Sequence, residues 1–343
     1  MRPAILQFTA PKAATSARRQ RGVTLVELMV ALALGLLVTV ALLKVYIDAS
    51  RMYRFNEGLA RLQENGRFAL EFIRRDARAA GFWGCNSNAT LSNGVSGTNA
   101  AFIDIAAGHI AGTQGEARAN LPDAPDSISF RGGFGNGTAL TAAMTSEAAE
   151  LAVTSIAELT SPIAMVSDCE NADIFAITAA SELTLSHTAG ANVSGSLSKV
   201  YKTDARVHPV RQSTYCIGDG VTPNVPSLKR TTTPGVSCPS GGEELIEGVE
   251  NIQILYGEDT DADANGDNGD DVANRYVAAG TSGLDVDRIV SLRISILLRS
   301  IENNLTTNPA PYSFNGTTYT PGASDRYLRK VFTTTITLRN KVR

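Results

Sequence analysis

The pattern of apolar and polar positions divides the chain into a long N-terminal helix and a later part rich in strands. An apolar run extends from Val23 to Leu43, and Glu27 is the only charge within it. These 21 residues would measure roughly 31 Å as a helix, enough to cross a bilayer core of about 30 Å. The run therefore predicts a membrane-spanning helix over residues 23–43.

The helix is predicted to continue well beyond this run. Apolar or small residues recur at steps of three and four, with charged residues between them, which is typical of one buried helical face. The stripe consists of Met52, Phe55, Leu59, Leu62, Gly66, Ala69 and Ile73. Gly58 and Gly66 indicate close packing, and Gly81 is a suitable stop for a helix that ends near Ala80.

The strand signals become clear only in the second half of the chain. Residues 86–160 have weak periodicity, with short strands expected only around residues 128–130 and 150–153. Later runs with the alternation or β-branched composition of strands cover residues 163–166, 174–178, 206–215, 252–256, 289–298 and 331–338. Pro209 suggests that the third of these is an edge strand. We predict an α+β fold in which the long helix packs on an antiparallel β-sheet.

The charge distribution indicates the orientation in the membrane. The first 22 residues carry five basic side chains and no acidic one, whereas the whole chain has a net charge of −3, which leaves about −8 on the remainder. A basic flank stays on the cytoplasmic side of a membrane span. The larger part is therefore expected in the periplasm, and its acidity makes nucleic acid an unsuitable partner.

The cysteines fit an oxidising compartment. The four residues Cys85, Cys169, Cys216 and Cys238 form no CxxC motif, and the histidines lack zinc-site spacing. Disulfides are the better interpretation, and four cysteines allow three connectivities. We favour Cys85–Cys169 and Cys216–Cys238, the second because it closes a short, hairpin-like excursion.

Other chemistry is sparse in the sequence. We find no motif of a serine hydrolase, a P-loop or a zinc protease, so the chain is not expected to be an enzyme. No cofactor is certain. Asp261, Asp263, Asn265 and Asp267 resemble the first half of a calcium loop, but Val272 stands where an EF-hand needs glutamate. The alternative is a solvated acidic turn.

The start of the apolar run carries a recognisable signal. Gly22, Val23, Thr24, Leu25, Val26 and Glu27 together resemble the type IV prepilin processing signal, although the family usually has Phe at the position of Val23. The resemblance implies that prepilin peptidase cuts after Gly22 and methylates the new amine of Val23. It also implies that Glu27 pairs with such an amine during assembly. An ordinary signal anchor with a stray glutamate is the alternative.

Internal motifs resemble the PilW-type minor pilins. They are residues 62–70, 81–85, 168–169, 246–250, 256–257, 292–300 and 329–335, in family order, while residues 86–160 and 222–240 show no resemblance. The likeness implies a leader over 1–22, a pilin helix over 23–80 and a periplasmic globular domain over 81–343. It also implies an inner-membrane precursor of a Gram-negative bacterium that later joins the pilus on the cell surface.

The resemblance further implies a role in pilus assembly and initiation within a minor-pilin complex at the tip. The implied partners are prepilin peptidase, other minor pilins, the major pilin and a tip-associated adhesin, and the implied cellular functions are adhesion and twitching motility. Two alternatives stay open. One is a minor pseudopilin of type II secretion, and the other is an adhesin at the filament tip that binds through residues 86–160.

Overall fold

The computed structural model describes residues 22–85, 90–115, 124–261 and 270–340. Its longest element is helix α1 (Leu25–Ala79), of 55 residues. The chain separates into two compact units, the first ending at Tyr53 and the second starting at Arg54, so the boundary falls inside α1. Among the described residues, α1 is the one helix that is long and apolar enough to span a membrane.

The second unit is built mainly from strands. In chain order they are β1 (Thr90–Asn93), β2 (Ile110–Thr113), β3 (Ser127–Gly133), β4 (Thr138–Ala139), β5 (Leu151–Ala152), β6 (Ile163–Ser167), β7 (Asn171–Ala176), β8 (Ala179–Ser181), β9 (Thr184–Ser186), β10 (Arg206–Asp219), β11 (Pro226–Thr231), β12 (Glu243–Glu247), β13 (Val249–Glu258), β14 (Arg275–Ala278), β15 (Ile289–Arg299), β16 (Tyr312–Phe314), β17 (Thr317–Tyr319) and β18 (Arg329–Thr337). A short helix α2 (Cys238–Gly241) precedes β12, and a 3-10 turn (Val286–Arg288) precedes β15.

Within the described residues these strands form two main sheets. The larger follows the order β1-β7-β6-β10-β11-β12, and β3 and β4 also pair with β10 while β2 pairs with β3. The second sheet has the order β14-β13-β15-β18. Two small sheets, β5-β9-β8 and β16-β17, complete the unit. The predicted α+β class is therefore confirmed, with one refinement, because β1 and β7 are parallel and the other pairs are antiparallel.

The main core joins the second half of α1 to both sheets. Leu62, Ala69 and Ile73 are buried on one face of the helix, together with Ile294 and Ile296 of β15. The predicted stripe is thus buried from Leu62 onward, whereas Met52 at its start is exposed. The helix ends at Ala79, and Gly81 adopts a φ of +73°, as a C-terminal stop requires.

The glycines of the helix permit close packing, as the sequence suggested. A Cβ added to Gly66 would lie 2.5 Å from the ring of Phe332 in β18. A Cβ added to Gly58 would lie 2.6 Å from Leu305. Side chains at these two positions would separate the helix from the structure beneath it.

The prediction that Pro209 marks an edge strand is wrong. Strand β10 is central and pairs with β3, β4, β6 and β11. The proline is tolerated because β4 stops its register at Val207 and β3 begins at Val210, so Pro209 lies at a gap in the ladder. The carbonyl of Pro209 accepts from the Phe134 N–H in that gap. Because the N–H and C=O of one strand residue point to the same side, the N–H that proline lacks would also have pointed into the gap, where no ladder bond is lost.

Candidate functional site

The proposed cleavage site lies just outside the helix. Gly22, Val23 and Thr24 are not helical, and α1 begins at Leu25. Thr24 caps the helix, because its hydroxyl accepts from the Glu27 N–H at 3.2 Å and its carbonyl accepts from the Leu28 N–H at 3.1 Å. Thr24 and Glu27 therefore occupy the two side-chain positions of a capping box. The local sequence thus fixes the helix start two residues after the proposed cleavage site.

Gly22 is not required by the local packing. A Cβ added there would meet no atom within 4 Å, and its φ lies outside the left-handed range that favours glycine. Val23 beside it is 67% exposed. The bond between Gly22 and Val23 is therefore uncrowded, and packing among the described residues gives no reason for glycine at position 22.

Glu27 lies in the first turn of α1 and is exposed. No described residue forms an ion pair with its carboxylate. The positive end of the helix dipole favours an acidic side chain at this position by roughly 0.3–1 kcal/mol. That is much less than the cost of burying an unpaired carboxylate, so a buried Glu27 needs a cation from outside the described part of this chain.

The surface around Glu27 is apolar and uncovered. Leu25, Leu28, Leu32, Leu36 and Val40 are each at least half exposed, as are their neighbours up to Tyr46. Exposed apolar surface of this extent is typical of a membrane span or an assembly interface. The first half of α1 is therefore a surface that requires lipid or other subunits.

The second half of α1 carries a buried carboxylate that the sequence analysis did not single out. Asp76 is 4% exposed. Its Oδ2 accepts from the Tyr215 hydroxyl at 2.7 Å, and its Oδ1 accepts from Arg211 Nη2 at 3.1 Å. A second guanidinium, that of Arg230, lies 3.8 Å from Oδ2. These contacts fasten the end of the helix to β10 and β11.

The neighbours of Asp76 keep it hydrogen-bonded. Burial and, after it, the charge of Asp76 raise the pKa of Tyr215 above its ordinary value, so the hydroxyl stays protonated and donates. A sequence signal for Asp76 did exist. It follows Ile73 by three residues and so falls on the buried stripe, where a charge predicts a buried partner.

Two disulfides connect the second unit. Cys85 is bonded to Cys169, and Cys216 is bonded to Cys238, which is the pairing favoured from the sequence. Cys85 lies six residues after the end of α1, and Cys169 occupies the turn between β6 and β7. The first disulfide therefore links the chain that follows the helix to the larger sheet.

The acidic loop is only partly within the described residues. The carboxylates of Asp259, Asp261 and Asp270 have oxygens within 4.8 Å of one another, whereas the predicted ligands Asp263, Asn265 and Asp267 lie outside the described residues. Buried Asp259, which the sequence analysis did not include, accepts from the N–H groups of Asp261 and Asp271. Calcium at Asp261 stays a prediction, which melting with and without a chelator would test.

Two of the histidines, His187 and His208, pack against aromatic rings. His187 hydrogen-bonds the carbonyl of Ala149 and meets the Phe175 ring edge-on, and His208 meets Phe82 in the same way. Burial lowers the pKa of His208, which keeps it neutral near pH 7. Both rings are thus accounted for by packing.

Comparison with known proteins adds two family matches. Residues 214–340 match the model of the type IV pilus-assembly protein W family (PilW), and residues 17–43 match the prokaryotic N-terminal methylation motif. The first match runs from within β10 through β18, and the second contains Gly22, Val23 and Glu27. The resemblance to PilW-type pilins drawn from the sequence motifs is confirmed by these two matches.

Solved structures also match the chain. A type IV-like pilin from Thermus thermophilus is 12% identical, with 82% of this chain and 98% of that chain covered, at a TM-score of 0.32. No curated protein matches the chain.

Proposed function

We propose that this chain is a minor type IV pilin that takes part in pilus assembly and initiation, within a complex of minor pilins at the filament tip. The observation that carries the proposal is the start of α1. An exposed, non-helical Gly22–Val23 bond precedes a capped helix, whose Glu27 forms no ion pair with a described residue and whose apolar surface is uncovered. The match to the N-terminal methylation motif covers this same segment.

Processing would convert this segment into an assembly element. Cleavage after Gly22 forms an α-amine on Val23, one residue before the Thr24 cap. The amine of one subunit and the Glu27 carboxylate of its neighbour would then neutralise each other in an apolar interior. Because an unpaired buried charge is strongly unfavourable, the pair would fix the axial register between subunits.

The proposed location and partners follow from this chemistry. The precursor resides in the inner membrane with its larger unit in the periplasm, and prepilin peptidase acts on it from the cytoplasmic side. The mature subunit then joins other minor pilins and the major pilin in the pilus. The match to the PilW model over residues 214–340 favours this role over a pseudopilin of type II secretion.

The test combines N-terminal sequencing with co-purification of the partner pilins. Gly22→Ala should leave the longer precursor in the membrane without loss of folding, since the added methyl group meets no atom within 4 Å. Glu27→Gln, which keeps the shape of the side chain and removes its charge, should be cleaved normally and fail to assemble.

Matched controls separate charge from helix stability. Thr24→Ser keeps the capping hydroxyl and should behave as the unaltered chain in both assays. A mature chain that still starts at Met1, or a Glu27→Gln variant that assembles normally, would contradict the proposal.

A further inference from the structure

Strand β18 has one unpaired edge. It pairs with β15 from Arg329 to Thr337 without a break in register, and among the described strands no other one forms a ladder with it. In the same register, the N–H of Leu338 donates to the carbonyl of Val290 at 2.9 Å. Backbone groups alternate in direction along an antiparallel strand, so even-numbered residues of β18 bond to β15 and odd-numbered residues face outward.

The outward-facing backbone groups lack partners within the described residues. They are the N–H and C=O groups of Val331, Thr333, Thr335 and Thr337. Exposed polar backbone groups in this extended geometry can bind another strand through a complete ladder. The free edge therefore offers a binding surface about seven residues long, and the hairpin β16-β17 lies close to its start, where Arg329 contacts the Tyr312 ring.

The end strands β1, β12 and β14 of the two main sheets are protected in ways that β18 is not. Strand β12 carries Glu243, Glu244 and Glu247, and its ladder with β11 contains a register shift. Strands β1 and β14 have only four residues each. Between Val331 and Thr337 there is no charge, no proline and no shift in register, although these are the usual protections against strand addition.

The second half of α1 runs beside this edge. Gly66 packs on Phe332, Arg74 Nη2 donates to the Thr334 hydroxyl at 3.3 Å, and Asn340 donates to the carbonyl of Ala80 at 3.0 Å. Helix and strand thus advance in the same direction from the first contact to the last. A strand added outside β18 would lie next to the Arg74 side of the helix.

That side of the helix is basic. Arg67 and Arg78 are exposed and stand seven residues before and four residues after Arg74, on the same helical face. This face also carries two acidic side chains, Glu71, which pairs with Arg74 at 3.1 Å, and the exposed Glu64, so its arginines exceed its acids by one. Lys330 and Arg339 add positive charge at the two ends of the strand. The chain from residue 80 onward, in contrast, has a net charge of −10, which is 18 basic minus 28 acidic residues.

We propose that β18 binds an extended acidic segment of another subunit, which adds to the four-stranded sheet as its next strand. The backbone ladder supplies the binding, and the basic border of Arg67, Arg74 and Arg78 selects acidic side chains. This inference stands on β18 and the face of α1 beside it, and it is separate from cleavage at Gly22.

The test uses the full chain in detergent micelles and a synthetic peptide of alternating valine and glutamate, about as long as β18. Hydrogen exchange is measured residue by residue with and without the peptide. The amides of Val331, Thr333, Thr335 and Thr337 should exchange more slowly when the peptide is bound. Those of Thr334 and Ile336, already bonded to β15, should change little.

Two variants at one position separate backbone from side chain. Thr335→Pro removes an outward N–H without removing a bond to β15, and it should weaken peptide binding about tenfold, the equivalent of roughly 1.4 kcal/mol. Thr335→Val keeps the N–H and should bind as the unaltered chain does. A peptide with lysine in place of glutamate should also bind about tenfold more weakly.

Three results would overturn the proposal. One is saturation by the acidic peptide without slower exchange at the outward amides, which would mean binding elsewhere. Another is equal affinity for the glutamate and lysine peptides. The third is equal affinity of the Thr335→Pro and Thr335→Val variants, and the exchange data on the unaltered chain decide the matter if the proline variant fails to fold.

Discussion

The two halves of α1 differ in how their apolar residues are buried. In the first half, Leu28 is 55% exposed and Leu36 is 68% exposed, although this is the most apolar part of the chain. In the second half, Ala69 and Ile73 are completely buried although charged residues surround them in sequence. The difference teaches that an apolar sequence predicts a surface that is unfavourable in water. Whether this surface is buried within the chain depends on whether the same chain provides side chains that pack against it.

The second half receives its partners from the sheets. Its apolar stripe is narrow, but the glycine at position 66 lets a sheet approach, and Asp76 binds directly to side chains of β10 and β11. In the first half, the described residues provide neither a close glycine contact with a sheet nor a buried carboxylate. We expect perturbations of the second half to lower the stability of the chain, and changes in the first half not to lower it.

The largest effect is expected from the disulfide that follows the helix. Replacing Cys85 and Cys169 together by serine should lower the free energy of unfolding by about 4 kcal/mol, because the bond closes a sequence separation of 84 residues. The Cys216→Ser/Cys238→Ser control, with a separation of 22, should lose about 1 kcal/mol less. Denaturant unfolding of the full chain in detergent measures both.

Mass spectrometry of non-reduced peptides checks the premise of that experiment. Both disulfide-linked peptide pairs should be present in the protein purified from its native membrane. Four free thiols there, or equal stability of the serine variants and the unaltered chain, would contradict the role assigned to these bonds.

Asp76→Ala is expected to have the next largest effect. It should destabilise the folded chain by about 3 kcal/mol, because the Tyr215 hydroxyl and the Arg211 guanidinium lose a buried partner. Glu71→Ala, on the exposed side of the same helix, should cost no more than about 0.5 kcal/mol, since its ion pair with Arg74 is open to solvent. Similar losses in the two variants would mean that Asp76 does not anchor the helix.

A glycine in each half provides a direct comparison. Gly66→Val should destabilise by about 2 kcal/mol, because the added atoms enter the space of the Phe332 ring. Gly35→Ala in the first half, where a Cβ meets no atom within 4 Å, should instead stabilise the helix by up to about 1 kcal/mol. Circular dichroism during denaturation records both changes, and Phe332→Leu should restore part of the stability lost in Gly66→Val.

The smallest effect concerns an acidic side chain next to the β18 edge. Burial alone would raise the pKa of Asp325, but the hydrogen bonds and charge of Arg329 outweigh it and hold that pKa below its ordinary value. A carboxylate with a lowered pKa in the folded state contributes stability at neutral pH, and this is lost as the pH falls through the folded value. The melting temperature should therefore decrease when the pH is lowered below about 4, and this decrease should be smaller in the Asp325→Asn variant.

A pH profile of Asp325→Asn that parallels that of the unaltered chain would assign the acid sensitivity to other carboxylates. Asp168 is the matched case, since Lys199 outweighs burial there and lowers its pKa in the same sense. The Asp168→Asn variant measures how much of the pH dependence of the melting temperature comes from the Asp168–Lys199 ion pair.

The sequence by itself determined the elements with strong local signals. The long apolar run and the Gly81 stop predicted α1 within two residues at its start and one at its end. Alternating β-branched and apolar residues likewise predicted β15 and β18. These features depend on neighbours within a turn or a strand, so a local pattern contains the information.

Short elements escaped prediction because their stability comes from partners distant in sequence. Strands β1 and β2 have four residues each and lie in the segment without periodicity. They form because Thr90 pairs with Asn171 and Ile110 pairs with Phe130. No local pattern records such contacts.

The tertiary structure alone decided which exceptions are tolerated. Pro209 is tolerated within a central strand because two partner strands leave a gap beside it. Asp76 of α1 is tolerated in the core because Tyr215 and Arg211 of β10 donate hydrogen bonds to it. Strand β18 became an edge only through the order of the sheet. Each outcome depends on which groups meet in space, and meeting in space is a property of the packed chain.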